Sequence, residues 1–101
     1  MPKHNVELSK LIDILRLNMP VLADCYKVRS LGLFGSYVRA EQRRKSDLDI
    51  LVEFHEAPSL LKFLELENRL SDLLGVKVDL VMKTALKPGI GQRILDEVVP
   101  V

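Results

Sequence analysis

The sequence lacks most of what would mark a secreted, membrane-bound or nucleic-acid-coating protein. It holds a single cysteine, Cys25, so no disulfide can form within the chain and a reducing compartment fits best. It has no tryptophan, and its five aromatics (Tyr26, Phe34, Tyr37, Phe54, Phe63) are too few and too scattered for a base-stacking platform. No apolar run approaches the ~18 residues of a membrane span. The opening stretch Met1-Pro2-Lys3-His4-Asn5 lacks a signal-peptide core. The expectation is a cytoplasmic protein with no membrane association. A net charge of +1 argues against broad electrostatic binding to nucleic acid, so no direct contact with it is expected. The two histidines and Cys25 show no metal-ligand spacing among themselves.

What is present reads as one globular unit. At 101 residues, 48% hydrophobic and 29% charged, residues 1–101 are expected to form a single domain. Such a chain buries roughly 65% of its unfolded surface, enough to fold without structural metal. The charge is unevenly spread. Lys27 to Lys45 contains six basic residues (Lys27, Arg29, Arg39, Arg43, Arg44, Lys45) and one acid, Glu41. Asp47 to Glu56 contains four acids and no lysine or arginine. A basic collar beside an acidic strand suits an anionic ligand bridged by cations; a solvated charged loop is the plainer alternative.

Periodicity lays out the elements. Val6, Leu8, Leu11, Ile12 and Leu15 predict a helix over about 5–18, ending before Pro20. Val28 to Phe34 reads as a strand that stops at Gly35. Ser36 resembles an N-cap opening a short helix through about Gln42, followed by a polar loop, Arg43-Arg44-Lys45-Ser46. Residues 47–54 alternate: Leu48, Ile50, Val52 and Phe54 on one face, Asp47, Asp49, Leu51 and Glu53 on the other. Pro58-Ser59 opens a helix carrying Phe63, Leu66, Leu70 and Leu73, which Gly75 terminates. Val76 to Met82 predicts a third strand burying Val76, Val78, Leu80 and Met82. After Pro88-Gly89 a last helix is expected over about Ile90–Val98. The fold class is α+β, in the order αβαβαβα, with helices flanking one small mixed sheet.

Strand geometry then brings three carboxylates together. Asp47 and Asp49 project from the same face, about 6.5–7 Å apart along the strand. If strands one and two are antiparallel, and the helix over 59–74 is a crossover that leaves strand three parallel to strand two, Asp79 joins them. Unpaired carboxylates at that range raise one another's pKa unless cations neutralise them. Hard oxygen ligands select Mg²⁺ or Mn²⁺. Two such ions about 3.5–4 Å apart can clamp the attacking and leaving oxygens of a nucleotidyl transfer. The Gly35-Ser36 turn supplies close backbone approach, free N–H groups and a hydroxyl for a phosphate, and Arg39 is placed to reach the same anion. Asp-x-Asp in a strand also occurs simply to keep a face soluble, and Gly-Ser as a routine cap. Tyr37 is read as a packing residue, with contact to a nucleotide or partner as the alternative.

Taken together, Gly35-Ser36-Tyr37-Val38-Arg39-Ala40-Glu41, Ser46-Asp47-Leu48-Asp49-Ile50-Leu51-Val52 and Val78-Asp79-Leu80-Val81 resemble the signature of the DNA polymerase beta-like nucleotidyltransferase superfamily. The similarity is nearest to the minimal nucleotidyltransferases of the MntA antitoxin type, over nearly the whole chain. The resemblance implies that Gly35 and Ser36 cradle a triphosphate, that Asp47 and Asp49 bind metal, and that Asp79 binds the catalytic metal and helps activate the acceptor hydroxyl. It also implies ATP as substrate, two Mg²⁺ or Mn²⁺ ions, and transfer of AMP to a hydroxyl of a HEPN-type helical toxin. Neutralisation by binding alone and transfer to a small molecule are the rival readings. A chain this short implies a partner or a second copy to complete the acceptor site. Many relatives carry glycine where this chain has Ala40, a departure that removes no ligand.

Overall fold

In the computed structural model, which describes residues 3–42 and 46–101, the chain forms α1 (Lys3–Tyr26), β1 (Val28–Phe34), β2 (Leu48–Phe54), α2 (Leu60–Leu74), β3 (Val78–Met82), α3 (Ile90–Glu97) and β4 (Val99–Pro100), with a 3-10 turn at Lys83–Ala85. β1 lies antiparallel to β2, and β2 parallel to β3, as the strand argument requires. The sheet order is β3-β2-β1-β4, with β4 antiparallel to β1. The fold is α+β with a mixed sheet of four strands, one more than the alternation revealed.

Two expectations are corrected. α1 does not end before Pro20 but runs on to Tyr26. Its buried and part-buried stripe continues through Leu15, Met19, Leu22 and Tyr26, and packing of that stripe holds the last two turns. Pro20 and Arg16 are both exposed, so the Arg16 carbonyl that loses its helical donor faces water. The second correction concerns the segment after β1. No helix follows Ser36; residues 36–40 form turns instead.

The apolar face of β2 is shut away from water. Leu48, Ile50 and Val52 are fully buried, beside Leu31 and Leu33 of β1 and Val78 and Leu80 of β3. α1 and α2 cover that face with Leu11, Leu15 and Leu22, and with Leu66, Leu70 and Leu74. α2 begins where expected: the Ser59 hydroxyl accepts from the Lys62 N–H at 3.2 Å. It ends at Gly75, whose left-handed backbone (φ 69°) lets its N–H reach the Ser71 carbonyl at 2.9 Å. β3 is an edge strand, and α2 protects it. The Val78 N–H donates to the Ser71 hydroxyl at 3.0 Å, and the Leu80 N–H to the Glu67 carboxylate at 2.9 Å. Asp79 therefore sits between two pinned backbone groups.

The other face carries the acids at one end and apolar groups further along. Leu51, on that face, is nonetheless 7% exposed. Leu95 and Val98 lie with Gly32 and Leu51 around a pocket of about 140 Å³, and the C-terminal segment leaves little of Leu51 to solvent. Among the described residues no helix is long and apolar enough to cross a membrane.

Candidate active site

The site grows from the end of β1. Gly35 takes φ 83°, a left-handed backbone that turns the chain sharply. Its carbonyl accepts from the N–H groups of both Val38 and Arg39 at 3.1 Å, and the Ser36 carbonyl accepts from Glu41 at 2.8 Å. These bonds draw residues 36–41 into a tight loop rather than a helix. Ala40 closes it with φ 61°, an αL conformation that costs an L-residue about 1–2 kcal/mol. Position 40 is thus one where a side chain is strained and glycine would not be. Ala40→Gly is expected to raise stability by about 0.5–1 kcal/mol in thermal or denaturant unfolding, the relief being partly offset by a looser unfolded chain. A loss of stability would mean the αL backbone is not what glycine serves there.

The Gly35 turn presses directly on the first acidic side chain. A Cβ built on Gly35 would fall on Oδ2 of Asp49 and lie 2.9 Å from its Cγ. Asp49 in turn stands opposite Asp79 in the parallel β2–β3 register. Asp47 lies one residue before β2, where the Leu48 N–H donates to the Lys77 carbonyl at 2.8 Å and ties the two strand starts together. The electrostatics show all three acids in reach. Partial burial, the charges of Asp79 and Asp47, and a hydrogen bond shared with Asp79 push Asp49 up to about 6, against a weaker pull from Arg39. Asp79 is exposed, and Asp47 and Asp49 are half-buried. The structure thus brings Asp47, Asp49, Asp79 and Gly35-Ser36 to one end of the sheet, as the face argument anticipated. Among the described residues, however, no three His, Cys, Asp or Glu side chains are drawn together closely enough to hold an ion by themselves. Substrate phosphates and water would have to complete any coordination sphere.

Arg39 is placed less simply than expected. Its Nε donates to Glu41 at 2.8 Å and its Nη1 to Glu97 at 2.7 Å, and both bonds raise its pKa further. Glu97, at the end of α3, also accepts the Gly35 N–H at 2.9 Å. Sequence reasoning missed this residue, since nothing in the spacing of the C-terminal segment sets it apart from neighbouring surface acids. Tyr37 is 6% exposed and belongs to the core, the packing role expected for it. Burial, then Glu7 and Asp47, raise its pKa. Arg43, Arg44 and Lys45 of the basic collar lie outside the described residues.

A family model described as "Nucleotidyltransferase domain" matches residues 8–101. The chain belongs to this nucleotidyltransferase family. It is an enzyme family, and within it this chain is of the minimal, MntA-like kind. The protein adenylyltransferase MntA of Thermococcus cleftensis is 53% identical over 92 residues, spanning 91% of this chain and 93% of that relative. A solved structure described as a candidate minimal nucleotidyltransferase superposes with a TM-score of 0.74 at 32% identity, covering 99% of this chain and 97% of the other. A chain of the complex between tri-AMPylated Shewanella oneidensis HEPN toxin and its MNT antitoxin superposes with a TM-score of 0.60 at 26% identity, covering 96% and 70%.

Proposed function

We propose that this nucleotidyltransferase moves AMP from ATP to a hydroxyl of a HEPN-type protein toxin and acts as its antitoxin, in the cytoplasm. The observation that carries the reading is the Asp49–Asp79 register pair, with Asp47 in electrostatic reach and the Gly35 turn packed against Asp49. The relatives' names, protein adenylyltransferase for one and an AMPylated toxin complex for another, support the acceptor class.

The carboxylates fit a divalent metal. They offer only hard oxygen donors, and Asp49 is raised first by burial and then by the charges of Asp79 and Asp47, both of which a bound cation would offset. Mg²⁺ or Mn²⁺ bound by Asp47, Asp49 and Asp79 would supply charge neutralisation to the phosphates and the departing pyrophosphate. The chain's own groups do the rest. The N–H groups of the Gly35–Ser36 turn and the Ser36 hydroxyl hold the triphosphate, and Arg39 adds charge beside them. Asp79, exposed on the edge strand, faces the acceptor and takes the proton of its hydroxyl as that oxygen attacks the α-phosphorus. The bond from the α-phosphorus to the bridging oxygen breaks, and pyrophosphate leaves.

The test is to incubate the protein with ATP, Mg²⁺ and its HEPN partner and weigh the partner intact. An AMP adduct that disappears with Asp47→Ala is the expected result. Neutralisation that survives this substitution, with no adduct, would make the protein an antitoxin by binding alone.

A further inference from the structure

Glu97 is a carboxylate resting among groups that favour anions. The Gly35 N–H reaches it at 2.9 Å and Arg39 Nη1 at 2.7 Å. Arg93, one turn earlier on α3, adds its charge. Burial alone would push Glu97 up, but the bonds from Arg39 and Gly35 and the charges of Arg39 and Arg93 hold it below the usual carboxylate range. Arg39, Ile90, Arg93, Ile94 and Glu97 line one open concavity of about 340 Å³. The donors there exceed what one carboxylate uses. A guanidinium has five N–H groups, of which Arg39 spends two, on Glu41 and Glu97. Arg93 is exposed, and among the described residues no carboxylate lies within ion-pairing distance of it.

We infer that this concavity is a site for the polyphosphate tail of the nucleotide, in which Glu97 is a resident anion that the tail displaces and Arg93 is a second guanidinium that binds the terminal phosphates. The inference rests on the nucleotide-transfer reading and extends it to residues which that reading leaves without a role. Arg39, neutralised by Glu41 and Glu97, is a poor ligand for a phosphate until one of them lets go. Glu97 is the one whose release also frees the Gly35 N–H. A carboxylate brings one negative charge and two oxygens to these donors, whereas a polyphosphate brings several of each. A ligand with several phosphates therefore exchanges with Glu97, and a monophosphate does not. The arrangement selects ATP over AMP at the binding step and ties occupancy of the site to the last turn of α3.

Calorimetry with ATP, AMP and inorganic tripolyphosphate, at fixed Mg²⁺ and ionic strength, tests this on the full chain. Arg93→Gln is expected to weaken ATP and tripolyphosphate by roughly tenfold, the worth of one hydrogen bond between charged groups, and to leave AMP unchanged. Glu97→Gln keeps an oxygen for the Gly35 N–H but loses the charge and the acceptor that holds Arg39 Nη1, and is expected to tighten tripolyphosphate. Unchanged tripolyphosphate binding in Arg93→Gln overturns the inference. So does weaker binding in a folded Glu97→Gln, which would make Glu97 a positioning residue for the turn. If Glu97→Gln does not fold, Arg93→Gln decides alone, since Arg93 is exposed. Tripolyphosphate carries no base and no transferable AMP, so the site is tested apart from transfer. Wild-type protein that binds it through Arg93 but transfers no AMP keeps the site and sinks the transfer reading. Transfer by the wild type, with Arg93→Gln matching it in ATP KM and tripolyphosphate affinity, does the reverse.

Discussion

Asp49→Asn is expected to abolish AMP transfer and, in the same protein, to raise stability at neutral pH. The loss should be about a thousandfold or more, because a carboxylate that holds a metal ion controls several kcal/mol of transition-state stabilisation. The gain follows from linkage. Burial and the neighbouring aspartates push Asp49 up to about 6 in the folded chain, against 3.8 for a free aspartate. Its unfolded form ionises first as pH rises, so stability falls between about pH 4 and pH 6 and stays lower above that. The shift would nominally correspond to about 3 kcal/mol, but the group is half exposed, and solvent screening reduces this to about 1–2 kcal/mol. Asparagine removes that fall, so the difference between variant and wild type should open across pH 4–6. Mg²⁺ should recover the same stability in the wild type at pH 7, and much less of it in the variant. Thermal unfolding against pH, with and without Mg²⁺, measures both. A variant no more stable than wild type at pH 7, or one that still transfers AMP, would remove the case for a repelling carboxylate cluster.

Gly35→Ala should be the most damaging single methyl that can be added to this chain. The backbone there is left-handed, which costs alanine about 1–2 kcal/mol. The new Cβ would also land on the Asp49 carboxylate, and overpacking of that kind adds about 1–3 kcal/mol. Moving Asp49 aside displaces it from Asp79, so transfer should vanish even in the fraction that folds. Gly75→Ala is the control. Gly75 has φ 69° and nothing within 4 Å of an added Cβ. It should lose only the backbone part, about 1 kcal/mol, and keep full activity. If the two variants lose the same stability and both transfer AMP, the close approach of Gly35 to Asp49 has no bearing on function.

Much of the site was legible because strands alternate with period two. Leu48, Ile50 and Val52 had to share the buried face, which put Asp49 on the other, and Val78 and Leu80 placed Asp79 by the same logic. The ends of α2 were legible because Ser59 and Gly75 act on backbone groups within a turn of themselves. Where the reading failed, a distant contact overrode a local rule. Pro20 looked like a stop, but the stripe through Met19, Leu22 and Tyr26 packs on the core and carries α1 past it. Ser36 looked like a cap, but Gly35 turns the chain and its carbonyl gathers two N–H groups into a loop. Leu51 fell on the polar face by alternation and is buried because α3 and its C-terminal continuation lie over it.

By itself the sequence determined which side chains face which way: a two-residue period in each strand commits the aspartates to the side opposite the core, whatever the rest of the chain does. Only the tertiary structure decided how near they come, that Asp49 must stand against a glycine, and that Glu97 reaches Gly35 from 62 residues away. The physical reason is range. Periodicity and capping act within a few residues, whereas these contacts exist only after the sheet has paired and α3 has packed beside it.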